Sequence, residues 1–495
     1  MKLSHILNEV SFTSNKDWDQ IKDIEVQDIS YNSKSCHKDY IFVAIKGETT
    51  DGHNYINSAY EKGARVFVIS DDVSIPSDGI KIFVEDSRLA LSKISSNFFR
   101  NPSKDLTVIG ITGTKGKTTT SNYLKTILQN AGYSTGVIGT NGVFYNGIQE
   151  DTNNTTPESY ELQRILRNMV DNEVEYVAME VSSGGLMMNR VEDVDFDVAI
   201  FTNISYDHIG PKEHPSFAHY LDCKSKLFSL AKHGIINMDD NYANYIIENA
   251  KCSIDTFSIE NPSDLQAIDI DVYKSMDHLG SKFTCKTKTN TMEYEICSPG
   301  VFSIYNALAV IATSKYFKIA DPIIKDTLKK VKVEGRVELL PVLDYASVIV
   351  DYAHNGISLQ SLLNTLKEYN PNRLICLIGS VGKRTKLRRK ELGDIAAKEC
   401  DICILTSDNP DTEDPMNIIN EMAKSFIDSN CQVIKEPDRE KAIRKAIKIA
   451  EEGDIIVLAG KGHENYQLIN GEKVYFSDKE TAIRAAKDLK EGKLI

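Results

Sequence analysis

The sequence predicts an α/β protein of three domains, and three observations lead to this prediction. The chain has 495 residues, whereas one ordinary domain has roughly 100–200. Short apolar runs that end in polar or glycine-rich turns recur along it, as in "LTVIGIT" and "VEYVAMEVSS", and segments of helical length separate them. Such runs are typical of strands buried on both faces in parallel sheets that are covered by helices.

The first predicted domain is small and spans residues 1–102. It contains the β-like runs "YIFVAIKG", "ARVFVIS" and "IKIFVED", and helical stretches such as "YINSAYEKGA" stand between them. The segment "RNPSKDL" that follows has the proline, serine and charge of a linker. We therefore expect a small α/β module that ends near this linker.

The second predicted domain spans residues 103–335 and opens on the glycine-rich stretch "GITGTKGKTTT". The stretch lies between an apolar strand and an amphipathic helix, so backbone N–H groups and the helix N-terminus can face an anion. Its Lys117 supplies a cation for phosphates and its Thr118 a hydroxyl for Mg²⁺. The strict pattern with four residues between the glycines is not met, because Ile111 occupies the first glycine position.

The third predicted domain spans residues 336–495, where the pattern of strands and turns restarts. Its runs "ASVIVDYAHN", "NRLICLIGSVGK", "DICILTSDNP" and "DIIVLAGKGHE" each precede a segment of helical length. Cys400 and Cys403 form the only close cysteine pair, and they lie within an apolar strand. We therefore interpret this pair as buried core rather than as a redox or metal site.

Composition narrows the class of protein. The chain is 41% hydrophobic and 26% charged, without an apolar run near the ~18 residues that span a bilayer. Its start lacks the pattern of a signal peptide. A net charge of -13 argues against broad nucleic-acid binding, which needs excess Lys and Arg. We expect a cytoplasmic monomer with neither nucleic-acid partners nor membrane insertion.

Several motifs in order along the chain resemble the Mur ligase family, and within it the MurE-type branch. They include Gly113 to Thr119, Thr155-Thr156-Pro157, Glu180-Val-Ser182-Ser183, Asp207-His208, Asn306-Ala-Leu-Ala, Asp351-Tyr-Ala-His354-Asn355, Asp408-Asn409-Pro410 and Gly460-Lys-Gly-His-Glu464. The resemblance covers essentially the whole chain, including a first domain similar to the family's UDP-binding module. It implies a central ATP-binding domain and a C-terminal domain that binds an amino acid.

The resemblance implies an ATP-dependent ligase that forms an acyl phosphate on a carboxylate and then an amide. Lys117 would contact the transferred phosphate, and two Mg²⁺ ions would be held by Thr118, Glu180, His208 and Lys224. Lys224 matches the family lysine that carries a CO₂-derived carbamate, a carboxylate-like group able to help hold Mg²⁺. The other implied ATP contacts are Gly113, Thr114, Lys115, Gly116, Thr119, Asn306, Arg336, Asp351 and His354.

The implied substrates are UDP-N-acetylmuramoyl-L-alanyl-D-glutamate and a free amino acid. The nucleotide-sugar dipeptide would meet Ser33, Thr155, Thr156, Ser182 and Arg190, residues that suit carboxylates and phosphates. Two departures put single contacts in question. Gly184 replaces the histidine common after the paired serines, and Asn32-Ser33-Lys34 replaces the usual Asp-Ser-Arg.

The third domain is expected to select the amino acid. Relatives that add meso-diaminopimelate carry Asp-Asn-Pro-Arg, whereas this chain has Asp411 in place of the arginine. A carboxylate favours an ammonium group and repels another carboxylate, so we expect L-lysine. The residues expected at this pocket are Arg389 for the α-carboxylate, and Asp408, Asn409, Asp411, Gly460 and Glu464.

Other interpretations remain at this point. The amino acid could be meso-diaminopimelate, if Asp411 points away and another cation takes over, or it could be ornithine. The chain could also be similar to folylpolyglutamate synthetase, which shares the glycine-rich stretch for phosphate binding. From a different class, it could be a P-loop nucleotide switch without ligase activity.

Overall fold

The computed structural model describes residues 1–47, 50–207, 209–210, 213–274, 279–383 and 386–493. They form two compact units. One contains Met1–Gln266 and Leu308–Ile324, and the other contains Ala267–Ala307 and Lys325–Ile495. The three-domain α/β fold is confirmed, with three main sheets covered by helices. The exact boundaries at 102 and 335 stay a prediction, since the two units divide the chain elsewhere.

The first unit begins with a five-stranded sheet in the order β1-β5-β4-β3-β2. Strands β2 to β5 are parallel, and β1 pairs with β5 in the antiparallel sense. Apolar side chains of the helices cover both faces of this sheet. The elements are α1 Leu3–Ile6, β1 Thr13–Ser14, α2 Trp18–Ile21, β2 Asp28–Ser30, β3 Tyr40–Val43, α3 Ile56–Glu61, β4 Val66–Ile69, β5 Ile80–Phe83 and α4 Ser87–Phe98.

A larger sheet follows in the same unit, in the order β13-β12-β11-β6-β10-β7-β8-β9. Its strands are parallel from β13 to β7, and β8 and β9 add an antiparallel edge. The elements are β6 Thr107–Thr112, α5 Lys117–Asn130, β7 Thr135–Gly139, β8 Gly142–Tyr145, β9 Ile148–Glu150, α6 Ser159–Asp171, β10 Tyr176–Glu180, α7 Ser183–Met187, β11 Phe196–Phe201, α8 Phe217–Ser225, α9 Leu227–Leu230, β12 Ala231–Asn237, α10 Ala243–Asn249 and β13 Ser253–Ser258.

The register of β6, β10 and β11 places the loops that follow these three strands at one edge of the sheet. In β10, Glu180 pairs with Ile111 of β6, and Phe201 at the end of β11 pairs with Thr112 of β6. The loops that leave these strands therefore emerge side by side. In open parallel sheets this carboxyl edge is where ligands bind.

The chain leaves this sheet through β14 Leu265–Lys274, whose first residues pair with β13. In the second unit, β15 Leu279–Lys286 and β16 Thr291–Ile296 form an antiparallel pair. Helices α11 Val301–Tyr316 and α12 Asp321–Leu328 follow, and Leu308–Ile324 of this segment belongs to the first unit. This antiparallel segment interrupts the predicted run of parallel strands.

The last block of the second unit is a six-stranded sheet in the order β17-β18-β22-β19-β20-β21, and all its pairs except β17 with β18 are parallel. Apolar clusters cover both faces. The elements are β17 Glu338–Leu340, β18 Ser347–Asp351, α13 Gly356–Lys367, β19 Leu374–Ile378, α14 Lys386–Glu399, β20 Ile402–Leu405, α15 Pro415–Ala423, β21 Gln432–Lys435, α16 Arg439–Ile449, β22 Ile455–Ala459, β23 Tyr466–Ile469, β24 Glu472–Tyr475 and α17 Asp478–Lys490.

Two expectations about composition can be compared with this fold. Cys400 and Cys403 are buried, and all nine cysteines are free thiols. Within the described ranges, the helices are too short or too polar to cross a membrane.

Candidate active site

The glycine-rich stretch forms a tight loop between β6 and α5. We call residues 113–116 of this stretch the phosphate loop. Gly113 and Gly116 have φ angles of 150° and 91°. A Cβ atom on Gly113 would lie 2.0 Å from Oγ1 of Thr202, so the side chain of any other residue would collide with the end of β11. Asn203 fixes the loop from the same side, because its carbonyl accepts from the Thr114 amide at 2.8 Å and its Oδ1 accepts from the Lys115 amide at 3.0 Å.

Two lysines donate to the carbonyl of Gly113. Nζ of Lys117 lies 2.8 Å from this oxygen, and Nζ of Lys224 lies 2.9 Å from it. Lys224 is 1% exposed, and burial together with the nearby charge of Lys117 lowers its pKa well below the ordinary range. The structure thus brings Lys224 of α8 to the phosphate loop.

The helix that carries Lys224 is attached to the loop by Tyr220. The Lys224 Nζ atom lies 4.7 Å from the centre of the Tyr220 ring, and the Tyr220 hydroxyl is 3.0 Å from Oγ1 of Thr114. Tyr220 and Lys224 are four residues apart on α8, so they share one face of the helix. Sequence analysis did not select Tyr220, although its spacing from Lys224 signals a common face.

Glu180 is a buried carboxylate at the end of β10. It is 1% exposed and accepts hydrogen bonds from the amide and hydroxyl of Thr140 at 3.2 and 3.1 Å. Among the residues that the structure describes, it has no Lys, Arg or His within ion-pair distance. A buried carboxylate needs a compensating charge, and oxygen donors are the ligands that Mg²⁺ prefers. Glu180 therefore fits a magnesium site, and Thr118, which is buried in the first turn of α5, offers a further hydroxyl oxygen.

His208, the remaining expected metal ligand, lies outside the described residues. Its neighbour Asp207 forms an ion pair with Lys115 at 3.6 Å. Thr119 is in the first turn of α5.

The residues expected to bind the dipeptide surround the loop after β10. Oγ1 of Thr156 donates to the carbonyl of Glu180 at 3.0 Å and accepts from the amide of Ser182 at 2.9 Å. Ser182 caps α7, and Arg190 donates to the carbonyl of Thr156 at 3.0 Å. Thr155 lies 3.1 Å from Thr140 through their hydroxyl oxygens.

A cleft of about 260 Å³ lies at this edge of the first unit. It is lined by residues of the loops and of α7 and α8, namely Lys117, Asn154, Thr155, Ser182, Ser183, Gly184, Met187, Met188, Arg190, Glu213, His214, Tyr220 and Lys224. The cleft thus joins the phosphate loop to the expected dipeptide residues. Ser33 is buried in a short turn of the five-stranded sheet and is not among these lining residues.

In the second unit, Asp351 ends β18 and holds two backbone amides. Its carboxylate accepts from Val337 at 2.8 Å and from Ala353 at 2.7 Å. Burial raises its pKa, and the charge of Arg336 acts in the opposite direction. The Arg336 guanidinium lies 4.8 Å from the ring centre of Tyr352.

His354 and Asn306 are the other residues of this unit expected to contact ATP. Nδ1 of His354 is 2.9 Å from the carbonyl of Tyr352. Asn306 is buried in α11.

The expected acidic pocket contains a lysine that sequence analysis did not select. Lys461 is fully buried, and its Nζ donates to Glu464 at 2.7 Å and to Oδ1 of Asn409 at 3.0 Å. It also lies 3.8 Å from Asp408. Gly460, with φ 107°, starts this turn. The charge of Glu464 is thus balanced within the protein, and the pocket is less acidic than the sequence suggested.

Asp411, in the loop between β20 and α15, is hydrogen-bonded to the β23–β24 hairpin. It has φ 54°, its Oδ1 accepts from the Gly471 amide at 2.8 Å, and its backbone pairs with Leu468 and Asn470. Lys383 lies 3.5 Å from its other oxygen. This carboxylate therefore stabilises the hairpin turn.

Arg389, expected to hold the α-carboxylate of the amino acid, is 2% exposed and already bound to two carboxylates. It donates two bonds of 2.7 Å to Glu413 and one of 2.8 Å to Glu421. The structure thus gives Arg389 internal partners.

A second buried arginine, Arg439, contacts the loops that carry Asp408 and Gly460, and sequence analysis did not select it. Arg439 forms a bidentate ion pair with Asp478 at 2.7 and 2.6 Å. It also donates to the carbonyls of Ser407 and Ala459, which precede Asp408 and Gly460. A lone arginine at the start of a helix carries no sequence signal for this role.

Comparison with known proteins gives full-length matches. The Mur ligase family, catalytic domain, matches residues 25–101, the Mur ligase middle domain matches residues 111–314, and the Mur ligase, glutamate ligase domain, matches residues 335–462. Two relatives are named UDP-N-acetylmuramoyl-L-alanyl-D-glutamate–2,6-diaminopimelate ligase. The protein of Clostridium perfringens is 41% identical over 96% of this chain and 98% of its own. That of Caldanaerobacter subterraneus subsp. tengcongensis is 39% identical over 92% and 94%.

Two solved structures have similar folds. A structure of a UDP-N-acetylmuramoyl-L-alanyl-D-glutamate–2,6-diaminopimelate ligase is 26% identical, has a TM-score of 0.72 and covers 99% of both chains. A Mycobacterium tuberculosis folylpolyglutamate synthase structure has a TM-score of 0.61 at 15% identity, over 82% of this chain and 96% of its own. The second match concerns the fold alone.

Proposed function

Because this chain belongs to the Mur ligase family, and to its MurE-type branch, we propose that it joins 2,6-diaminopimelate to UDP-N-acetylmuramoyl-L-alanyl-D-glutamate at the expense of ATP. The full-length similarity to relatives named for this reaction carries the proposal. The phosphate loop and the buried Glu180 and Lys224 beside it supply the chemistry that such a ligase needs.

In the proposed reaction, a carboxylate oxygen of the dipeptide attacks the γ-phosphorus of ATP, and ADP leaves. The amine of the amino acid then attacks the acyl carbon, phosphate leaves, and one proton is lost from nitrogen. Catalysis of this type rests on positioning and on neutralising charge. Lys117 would neutralise the transferred phosphoryl group, while Thr155, Thr156, Ser182 and Arg190 would hold the dipeptide.

Magnesium would be held by oxygen atoms of Thr118 and Glu180, with His208 and a carbamate on Lys224 as the expected further ligands. When bound, it would neutralise the phosphate oxygens. A neutral amine is the form that adds CO₂, and burial of Lys224 beside Lys117 favours that form. The addition of CO₂ to the neutral amine forms an N–C bond, releases one proton to water and leaves an anionic side chain.

The expectation of L-lysine is replaced by 2,6-diaminopimelate, since the relatives support the alternative. The contacts of the second unit agree with this change. Lys461 balances Glu464, and Asp411 is bound to Gly471 and lies near Lys383. Three carboxylates were expected to attract a lysine ammonium group, namely Asp408, Asp411 and Glu464, and each lies within ion-pair distance of a lysine of the protein itself.

Amide formation measured with the purified protein tests the proposal. ATP, Mg²⁺ and the UDP-dipeptide are supplied with diaminopimelate, L-lysine or ornithine, and product mass and phosphate release are recorded. We expect product with diaminopimelate and phosphate release that requires both the dipeptide and the amino acid. Product with lysine but not with diaminopimelate would overturn the amino-acid assignment, and phosphate release independent of the dipeptide would favour a nucleotide switch.

A further inference from the structure

Three side chains with metal-binding atoms lie together near the phosphate loop, and the proposed ligase reaction gives none of them a role. His214 precedes α8, whereas His219 and Cys223 lie on it. Their ligand atoms are all within 4.8 Å of one another. Nδ1 of His214 is 2.9 Å from Nδ1 of His219, and Sγ of Cys223 is 3.8 Å from that same nitrogen of His219.

The distances from His219 to the other two residues are close to those of a tetrahedral zinc site. In a tetrahedral site, bond lengths of about 2.0 Å to nitrogen and about 2.3 Å to sulfur place two nitrogen ligands about 3.3 Å apart, and nitrogen and sulfur about 3.5 Å apart. The two separations that involve His219 are within about half an ångström of these values, and the ligand atoms of His214 and Cys223 lie within 4.8 Å of each other. His219 and Cys223 are four residues apart and therefore share one face of the helix.

Burial and donor type favour a soft metal ion. His214 and Cys223 are each 2% exposed, while His219 is partly exposed and gives solvent a route to the cluster. Imidazole and thiolate ligands select Zn²⁺ over Mg²⁺, which prefers oxygen. We propose that His214, His219 and Cys223 bind one Zn²⁺ ion, with water as the fourth ligand and release of the thiol proton on binding.

This site would be connected to the cleft of the first unit. His214 lines the cleft, and its ring centre lies 5.0 Å from that of Tyr220, whose hydroxyl contacts Thr114 of the phosphate loop. A bound metal ion would link His214, in the lining of the cleft, to α8. The proposal does not depend on which amino acid the enzyme adds, or on ligase activity.

Titration with Co²⁺ tests the site, because a cobalt–thiolate bond gives a charge-transfer absorption band that oxygen ligands do not give. The full-length protein is reduced and titrated in excess Mg²⁺, which occupies oxygen-rich sites. We expect the band to saturate at one Co²⁺ per chain and to disappear when Zn²⁺ displaces the cobalt. A wild-type protein without a thiolate band would overturn the proposal.

Variants identify the ligands. Cys223→Ser is expected to lose the band, and His219→Ala, at a partly exposed position, is expected to lose it or to require far more Co²⁺. Cys252→Ser is the matched control, since Cys252 belongs to the same unit but not to the cluster, and it should retain the band. Circular dichroism verifies that each variant is folded. Retention of the band in folded Cys223→Ser or His219→Ala would overturn the assignment.

Discussion

Nζ of Lys224 donates a hydrogen bond of 2.9 Å to the carbonyl of Gly113, which lies 111 residues earlier in the chain. The lysine approaches from α8 and the carbonyl belongs to the phosphate loop. Lys117 donates to the same oxygen. Two lysine side chains thus meet at one backbone atom, and burial together with the charge of Lys117 makes the charged form of Lys224 costly. An anionic carbamate on Lys224 would remove this repulsion.

We expect Lys224→Ala to lower kcat by about 100-fold or more, the scale seen when one preorganised electrostatic contact is removed from an active site. Short carboxylates added to the assay should restore part of the activity by occupying the space of the carbamate. Lys226→Ala is the matched control, since Lys226 is exposed at the end of α8. Full activity of Lys224→Ala without rescue would contradict the metal role.

We expect Gly113→Ala to abolish ATP binding and to lower the thermal unfolding midpoint. Its Cβ would lie 2.0 Å from Oγ1 of Thr202 and 3.0 Å from the carbonyl oxygen of Asn203, in addition to backbone strain of about 1–3 kcal/mol. Gly132→Ala separates the two effects, because Gly132 has φ 94° but open space around its Cβ position. Calorimetry with ADP and a thermal melt of both variants provide the measurements. Equal behaviour of the two variants would refute the collision.

The hairpin role of Asp411 predicts different results for two substitutions. Asn can adopt the left-handed conformation and can still accept from the Gly471 amide, whereas Ala loses this hydrogen bond, worth about 1 kcal/mol, and adds about 1–2 kcal/mol of strain. Asp411→Asn should therefore retain the melting temperature and the preference for diaminopimelate over lysine. Asp411→Ala should melt at a lower temperature. A changed amino-acid preference in Asp411→Asn would show that the charge of Asp411 selects the substrate.

Sequence analysis could predict the features of this protein that depend on local sequence patterns. A phosphate loop needs glycine at fixed positions, and alternating apolar runs and helices predict parallel sheets, so Gly113, Glu180 and the α/β fold could be expected. The ion-pair partner of each charged side chain could not be predicted in this way. The chain has 71 acidic and 58 basic residues, and only the fold determines that Lys461 meets Glu464 or that Arg439 meets Asp478. The prediction of L-lysine treated Asp408, Asp411 and Glu464 as available to a substrate, whereas each of them lies within ion-pair distance of a lysine of the protein.

The Arg389 ion pairs give a prediction for the acid range. Hydrogen bonds and charge from Arg389 lower the pKa of Glu413 from 4.5 to about 2. A carboxyl whose pKa is lower in the folded state contributes stability above its unfolded pKa, and this contribution is lost as pH falls through the folded value. The stability difference between wild type and Glu413→Gln should therefore be largest above about pH 4.5 and should shrink toward pH 2. Urea unfolding midpoints at a series of pH values measure it, with Glu472→Gln, at an exposed hairpin position, as the control. A gap between wild type and Glu413→Gln that stays constant with pH would show that the Glu413 charge does not stabilise Arg389.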